Sequence, residues 1–288
     1  MRTQLAIVLA FTCAALGGCA IVVAPNGDDV QVRTPFSGGT EGDGVVTREQ
    51  RTVGTVQGLE TNGSVVVDVR VGQATSLAVE ADRNLLPMVR TDVRGDRLIV
   101  ETSGSFRSRN PIRVIYTVPN LTDVRHSGSG SVSVQGLNGA PLTVSSRGSG
   151  SVQLAGRVAS LDVDSNGSGS IDAASLESAS ANLRLTGSGR VKVGQVRGDY
   201  AIARLDGSGQ LSVGGSVHAL TARSTGSGHL DLANLASDEA DLSSTGSGGI
   251  TANVKQSLIA QNGGSGGIRV YGNPAQRSVN GNRVQVVN

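Results

Sequence analysis

Eight Gly-Ser-Gly triplets constrain the fold of this chain more than any other feature. They begin at Gly128, Gly148, Gly167, Gly187, Gly207, Gly226, Gly246 and Gly264, at steps of 20, 19, 20, 20, 19, 20 and 18 residues. A unit of about twenty residues cannot bury an apolar face by itself. Stacked copies can share one continuous core, so a period of this length predicts a solenoid in which each unit is one coil.

Aligning the copies on the first Gly makes the coil legible. Four residues on lie Val132, Val152, Ile171, Val191, Leu211, Leu230, Ile250 and Ile268, and six on lie Val134, Leu154, Ala173, Val193, Val213, Leu232, Ala252 and Val270. The position between them is polar in every copy: Ser133, Gln153, Asp172, Lys192, Ser212, Asp231, Thr251 and Arg269. Strict alternation of this kind reads as a short strand with one buried face. The residues four before the triplet are again apolar, from Val124 and Val144 to Leu242 and Ala260, and those six before it nearly so, from Thr122 and Leu142 to Leu258. Each coil is therefore expected to run strand, Gly-Ser-Gly corner, strand, then a variable turn such as Gln135 to Gly139.

The triplet belongs at the corner because Gly adopts dihedrals that a Cβ resists, and because coils stacked about 4.8 Å apart leave little room there. A flexible linker would not be flanked by apolar columns. A phosphate-binding loop would open a helix, and no helical periodicity follows any copy.

Only 2% of the 288 residues are aromatic and there is no Trp. This suits a narrow coil better than a globular core, which leans on large aromatic side chains. The formal net charge is +2, with the two signs interspersed, so neither the basic clusters nor the stacking aromatics of a nucleic-acid binder are present.

The N-terminus carries an address. Arg2 and the apolar run Leu5 to Leu16 read as an export signal over residues 1–18, too short for a membrane span. It ends in Leu16-Gly17-Gly18-Cys19, which resembles a bacterial lipobox and marks Cys19 as the lipid attachment residue. Ala20, in place of Asp, leans toward the outer membrane by the same resemblance. Residues 19–48, rich in Gly, Asp, Thr and Ser with Pro25 and Pro35, read as a flexible tether. Residues 49–120 hold alternating segments without the triplet and are expected to form irregular first coils or a cap. Regular coils follow over 121–270, and 271–288, with Asn280-Gly281-Asn282 before Val284 and Val286, read as a C-terminal cap.

Together the lead-in Glu80-Ala81-Asp82-Arg83-Asn84-Leu85-Leu86, the segment Pro119-Asn120-Leu121 and the serial Gly-Ser-Gly triplets resemble the head GIN domain family, whose working label is auto-transporter adhesin. The resemblance spans roughly Glu49 to Asn288. It implies an all-β protein built as a single-stranded, right-handed parallel β-helix, exported by a bacterium, and it brings no catalytic positions.

Chemistry is sparse. Some β-helices act on polysaccharides through paired carboxylates, but here Asp162 and Asp164 lie side by side on the expected outward face, while Asp206, Asp231 and Asp241 fall in different columns. His126, His218 and His229 occupy unrelated offsets and read as solvated surface residues, which supports neither a metal site nor an acid–base pair. The position after the second Gly carries no recurrent Asp, so the calcium-binding form of a β-solenoid is not expected. The five aromatics outside the signal, Phe36, Phe106, Tyr116, Tyr200 and Tyr271, provide no stacking platform for sugars. No cofactor, metal or nucleic acid is expected.

One column stands out. Three residues before the triplet, successive coils carry Arg184, Arg204 and Arg223, with Arg125 further along the same file. Guanidinium groups in a row suit the carboxylates or phosphates of an anionic polymer. The sequence thus points to a non-enzymatic, membrane-anchored envelope protein, an adhesin or interaction scaffold that meets a polysaccharide, glycolipid or protein partner. A polysaccharide-active enzyme and a self-assembling structural protein are the alternatives.

Overall fold

The computed structural model describes residues 39–287. They form a β-solenoid whose coils stack in register along one axis. Ala181–Gly187 shows the pattern: it pairs in parallel with Leu161–Gly167 on one side and with Ala201 to Gly207 on the other, placing Leu183 between Val163 and Ala203. After the corner, Ile171, Val191, Leu211, Leu230, Ile250 and Ile268 lie beside one another in successive coils. All six are at most 1% exposed, as the alternation of polar and apolar residues requires.

The corners show why two glycines are needed. Seven of the eight leading glycines have φ between +109° and +131°, a region open to Gly but costly for residues with a Cβ. The second Gly has another reason. At Gly189 the backbone is ordinary, yet a Cβ would lie 2.5 Å from the Gly169 carbonyl of the neighbouring coil. That carbonyl accepts Arg190 N–H, while Gly167 O accepts both Ser188 and Gly189 N–H at 3.0 Å. Gly264, the leading glycine of the eighth triplet, does not share the positive φ. It is held to Gly by close approach, since its Cβ would overlap Gly246 O.

The stretch expected to be a variable turn does more than connect. Leu137, Val158, Leu176, Val196, Val217, Leu235 and Val254 are all buried and give the coil a third apolar side. Register slips beside this side, for example between Ala173 and Glu177, which blurs its periodicity in the sequence.

At the N-terminal end the chain departs from simple stacking. Gly58–Gly63 and Val66–Val71 form a coil with a corner at Gly63, paired to Gly128. Arg97–Thr102 and Arg113–Val118 add a further rung beneath it. Ser76–Asp82 then lies antiparallel between Arg113–Val118 and Val46–Arg51, while Val89–Arg94 is antiparallel to Arg97–Thr102. Antiparallel strands therefore cover this end, as edge protection of a stacked sheet demands. The Arg51 guanidinium joins the two edges by donating to the carbonyls of Leu86 (3.1 Å) and Val89 (2.6 Å) and to the Thr91 hydroxyl (3.1 Å). Tyr116 is the largest side chain fully buried here, and its hydroxyl donates to Val56 O at 3.4 Å. Burial pushes its pKa up to about 12.

Of the expected flexible tether, residues 19–38 lie outside the described residues, while the expectation for residues 39–48 is corrected by strands at Thr40–Glu41 and Val46–Arg51. The cause is a clasp around Asp82, which is 1% exposed. Its carboxylate accepts from Ser108 Oγ at 2.5 Å and from Asn110 Nδ2 at 2.7 Å. Asn84 accepts from Asp43 N–H at 3.0 Å and donates to Glu41 O at 2.7 Å. The short loop of residues 82–84 thus holds two segments distant from it in sequence, 41–43 and 108–110.

At the other end Gln276–Gly281 and Val284–Val287 continue the parallel pairing. Arg277 and Val279 align with the buried Leu258 and Ala260, but are themselves exposed.

Candidate functional site

Arg184, Arg204 and Arg223 come together as the sequence spacing predicts. They are direct cross-coil partners, Arg184 beside Arg204 and Arg204 beside Arg223. All three sit on the outward face of the strand that leads into the corner, because their neighbours Leu183, Leu185, Ala203, Leu205, Ala222 and Ser224 point inward. The Arg184 side chain is 57% exposed. Arg125, at the same offset, is not continuous with the trio: Ser145 and Asp164 occupy the intervening coils.

The charges of the file are poorly compensated. Arg184 reaches Asp206 at 3.5 Å, and among the described residues Arg204 has only the neutral amide oxygen of Asn182, also at 3.5 Å. Some other outward positions do match charges across coils: Arg113 with Asp68 at 3.4 Å, Arg97 with Asp123 at 3.0 Å and Arg157 with Glu177 at 2.8 Å. Like charges about 4.8 Å apart repel by up to about 1 kcal/mol per pair in water. The file therefore sets three cations where the fold could have alternated signs, with Arg184 and Arg223 exposed and Arg204 half-buried between them.

Carboxylates gather on the same face toward the N-terminal end. Glu60, Asp123, Asp162 and Asp164 line a groove of ≈ 430 Å³ together with Arg125 and Arg147. Asp123 and Asp162 share a column, but Thr143 lies between them. Two coil steps, about 10 Å, separate them, which exceeds the span over which two carboxyl groups share a glycosidic bond. Asp123 is also held by Arg97 and Arg125, and Asp162 accepts from Asn182 Nδ2 at 3.0 Å. The groove sets four carboxylates against two guanidinium groups and brings no two carboxyl groups together as an acid–base pair. Among the described residues no group of three His, Cys, Asp or Glu side chains converges as metal ligands would.

The histidines require a correction. His218 and His229 are surface residues, 3.5 Å from Asp238 and 3.4 Å from Thr251. His126, expected on the surface, is 1% exposed. It belongs to a column two residues before the corner that the apolar pattern did not reveal: Thr61, His126, Ser146, Ser165, Leu185, Leu205, Ser224, Ser244 and Asn262, all buried. Its parity with the columns four and six before the corner was the available signal, masked by its polar members. His126 Nε2 faces Gly130 O at 3.1 Å, and Asn262 Nδ2 donates to Gly266 O at 2.9 Å, the same bond across equivalent corners. Burial lowers the His126 pKa, opposed in part by the bond to Gly130.

Cys19 lies outside the described residues. Among those described, no helix is long and apolar enough to cross a membrane.

Solved structures share this architecture. A crystal structure of a putative adhesin from Parabacteroides merdae superimposes with a TM-score of 0.67 at 20% identity, over 86% of this chain and 97% of that one. A putative adhesin from Parabacteroides distasonis gives 0.64 at 21%, over 86% and 99%. A protein from the same organism described as a putative lipid binding protein gives 0.60 at 22%, also over 86% and 99%. At these identities the likeness speaks for the fold alone. No curated protein matches the sequence. The family model described as "putative auto-transporter adhesin, head GIN domain" matches residues 56–176 and 171–274. By that match across most of its length, the chain belongs to the head GIN domain family.

Proposed function

We propose that this protein is a non-enzymatic, adhesion-type component of the bacterial cell envelope. Acyl chains on Cys19 hold it to the outer membrane, and the rigid solenoid presents the Arg184–Arg204–Arg223 face to a partner in the envelope or beyond it. The family's description supports the adhesion-type reading. The observation that carries the contact surface is the in-register arginine file, in which, among the described residues, Arg184 alone has a carboxylate partner. Several acyl chains anchor firmly because each buried methylene contributes roughly 0.8 kcal/mol.

Two experiments test this. Cys19→Ser should move the protein from the membrane to the soluble fraction; retention at the membrane would refute lipid anchoring. The lipid-free protein should bind members of a panel of envelope glycans and anionic glycolipids at low salt and release them at high salt, since surface electrostatics are screened. Loss of that binding in the Arg184→Ser, Arg204→Ser, Arg223→Ser triple variant would place the contact on the file. Equal binding by the variant would place it elsewhere.

A further inference from the structure

Resting on the reading of the arginine file as the contact surface, we infer that its ligand is a linear acidic oligosaccharide, aligned with the solenoid axis and engaged through about three consecutive anionic groups. The file has ends. In the coil before Arg184 the same position holds Asp164, and in the coil after Arg223 it holds Ser243. Cations therefore occupy three adjacent coils, spanning two steps or about 10 Å.

A chain with regularly spaced carboxylates can place one on each guanidinium, and an arginine fork accepts a carboxylate through two parallel N–H bonds. The next anionic group on one side meets the Asp164 carboxylate and is repelled. On the other side it meets a neutral hydroxyl and gains little.

The flanking columns favour a sugar over a bare polyanion. Thr186 and Thr225 stand on the corner side of the file, one residue before their corners, and Thr221 on the other. Ile202, half-buried beside Arg204, gives an apolar patch amid these hydroxyls. Hydroxyls and a small apolar surface complement the O–H and C–H faces of a sugar ring, whereas polyphosphate has neither. Asp206 sits beside Arg184 and competes for it.

Titration of the lipid-free protein with oligogalacturonates of one to eight residues, at low salt, reads the site length directly. Affinity should climb to about three or four residues and then level. Each arginine should contribute about three- to fivefold. Asp164→Ser should let affinity keep rising by one further residue, and Asp206→Asn should raise it for all lengths. Inorganic polyphosphate of matched charge should bind more weakly than the trimer or tetramer. A steady rise through eight residues in the unaltered protein, or no effect of Asp164→Ser, would overturn the three-coil limit while leaving the file as the contact surface. Tighter binding of polyphosphate would overturn the sugar assignment. Failure of every oligomer to bind would overturn this inference and leave the file to the wider panel of glycans and glycolipids, whereas binding unchanged in the triple arginine variant would overturn the reading of the file as the contact surface as well. The altered side chains all face outward, and circular dichroism of each variant should match that of the parent.

Discussion

The Thr61 hydroxyl and His126 Nδ1 lie 2.7 Å apart inside the core, joining the coil of Gly58–Gly63 to that of Asp123–Gly128. The Gly130 carbonyl facing Nε2 can only accept, so Nε2 carries the proton. In the neutral ring Nδ1 then accepts from Thr61. The fold thus selects one neutral tautomer at the junction between the covered end and the regular stack.

A pH dependence follows. Burial lowers the folded-state pKa of His126, so near and below its unfolded value of about 6.5 the unfolded chain binds more protons than the folded one. Stability from this residue is complete above about pH 6.5 and is lost as the pH falls toward the folded pKa. Thermal melting from pH 7.5 to 5 should show a decline that His126→Asn reduces. Asn is the informative replacement, because Asn262 makes the equivalent bond to Gly266. An unchanged slope in that variant would show that the decline arises elsewhere.

The two corner positions should respond differently to a methyl group. Gly189→Ala sets a Cβ 2.5 Å from Gly169 O and should destabilise by several kcal/mol, as strain in a packed interior does. Ser188→Ala, one residue away and exposed, should change stability by less than about 0.5 kcal/mol. Equal effects in chemical denaturation would contradict the stacking argument.

Ser224 and Ser244 place buried hydroxyls where no hydrogen-bond partner is found among the described residues. An unsatisfied buried polar group costs about 1–3 kcal/mol, so Ser224→Ala should leave the melting temperature unchanged or raise it. In contrast, Ile171→Asp or Val191→Asp buries a charge without a partner and should unfold the stack. Wild-type melting in either Asp variant would refute the inward assignment of that column.

The Asp82 clasp should fail in acid. Hydrogen bonds from Ser108 and then Asn110 hold its carboxyl below the usual range. Its contribution is therefore present above the unfolded value near 3.9 and is lost as the pH drops through the folded value. Limited proteolysis should cut near residues 40–45 in Asp82→Ala at neutral pH and spare the parent protein. Equal protection in both would show that the clasp does not hold this segment.

Much of this architecture was written in the sequence because a solenoid repeats its constraints. Val132 and its seven equivalents each report the same buried position, so a column is legible where one residue would be ambiguous. The arginine file followed from the same arithmetic, since a constant offset from the corner places residues side by side. Three things escaped that logic. The column of His126 mixes Thr, His, Ser, Leu and Asn, so its polarity hid its burial. The third side of the coil slips in register and has no fixed offset. The clasp of Asp82 on Ser108 and Asn110, and its hold on residues 41–45, occurs once.

The amino-acid sequence by itself therefore determined the coil, its corners and which residues share a face, because local alternation and a fixed period specify them coil by coil. Only the tertiary structure decided how the N-terminal end is covered and which polar groups are buried. It also showed that, among the described residues, Arg204 and Arg223 have no carboxylate partner such as Arg113 and Arg157 have. These depend on distances between segments far apart in the chain, which no repeat encodes.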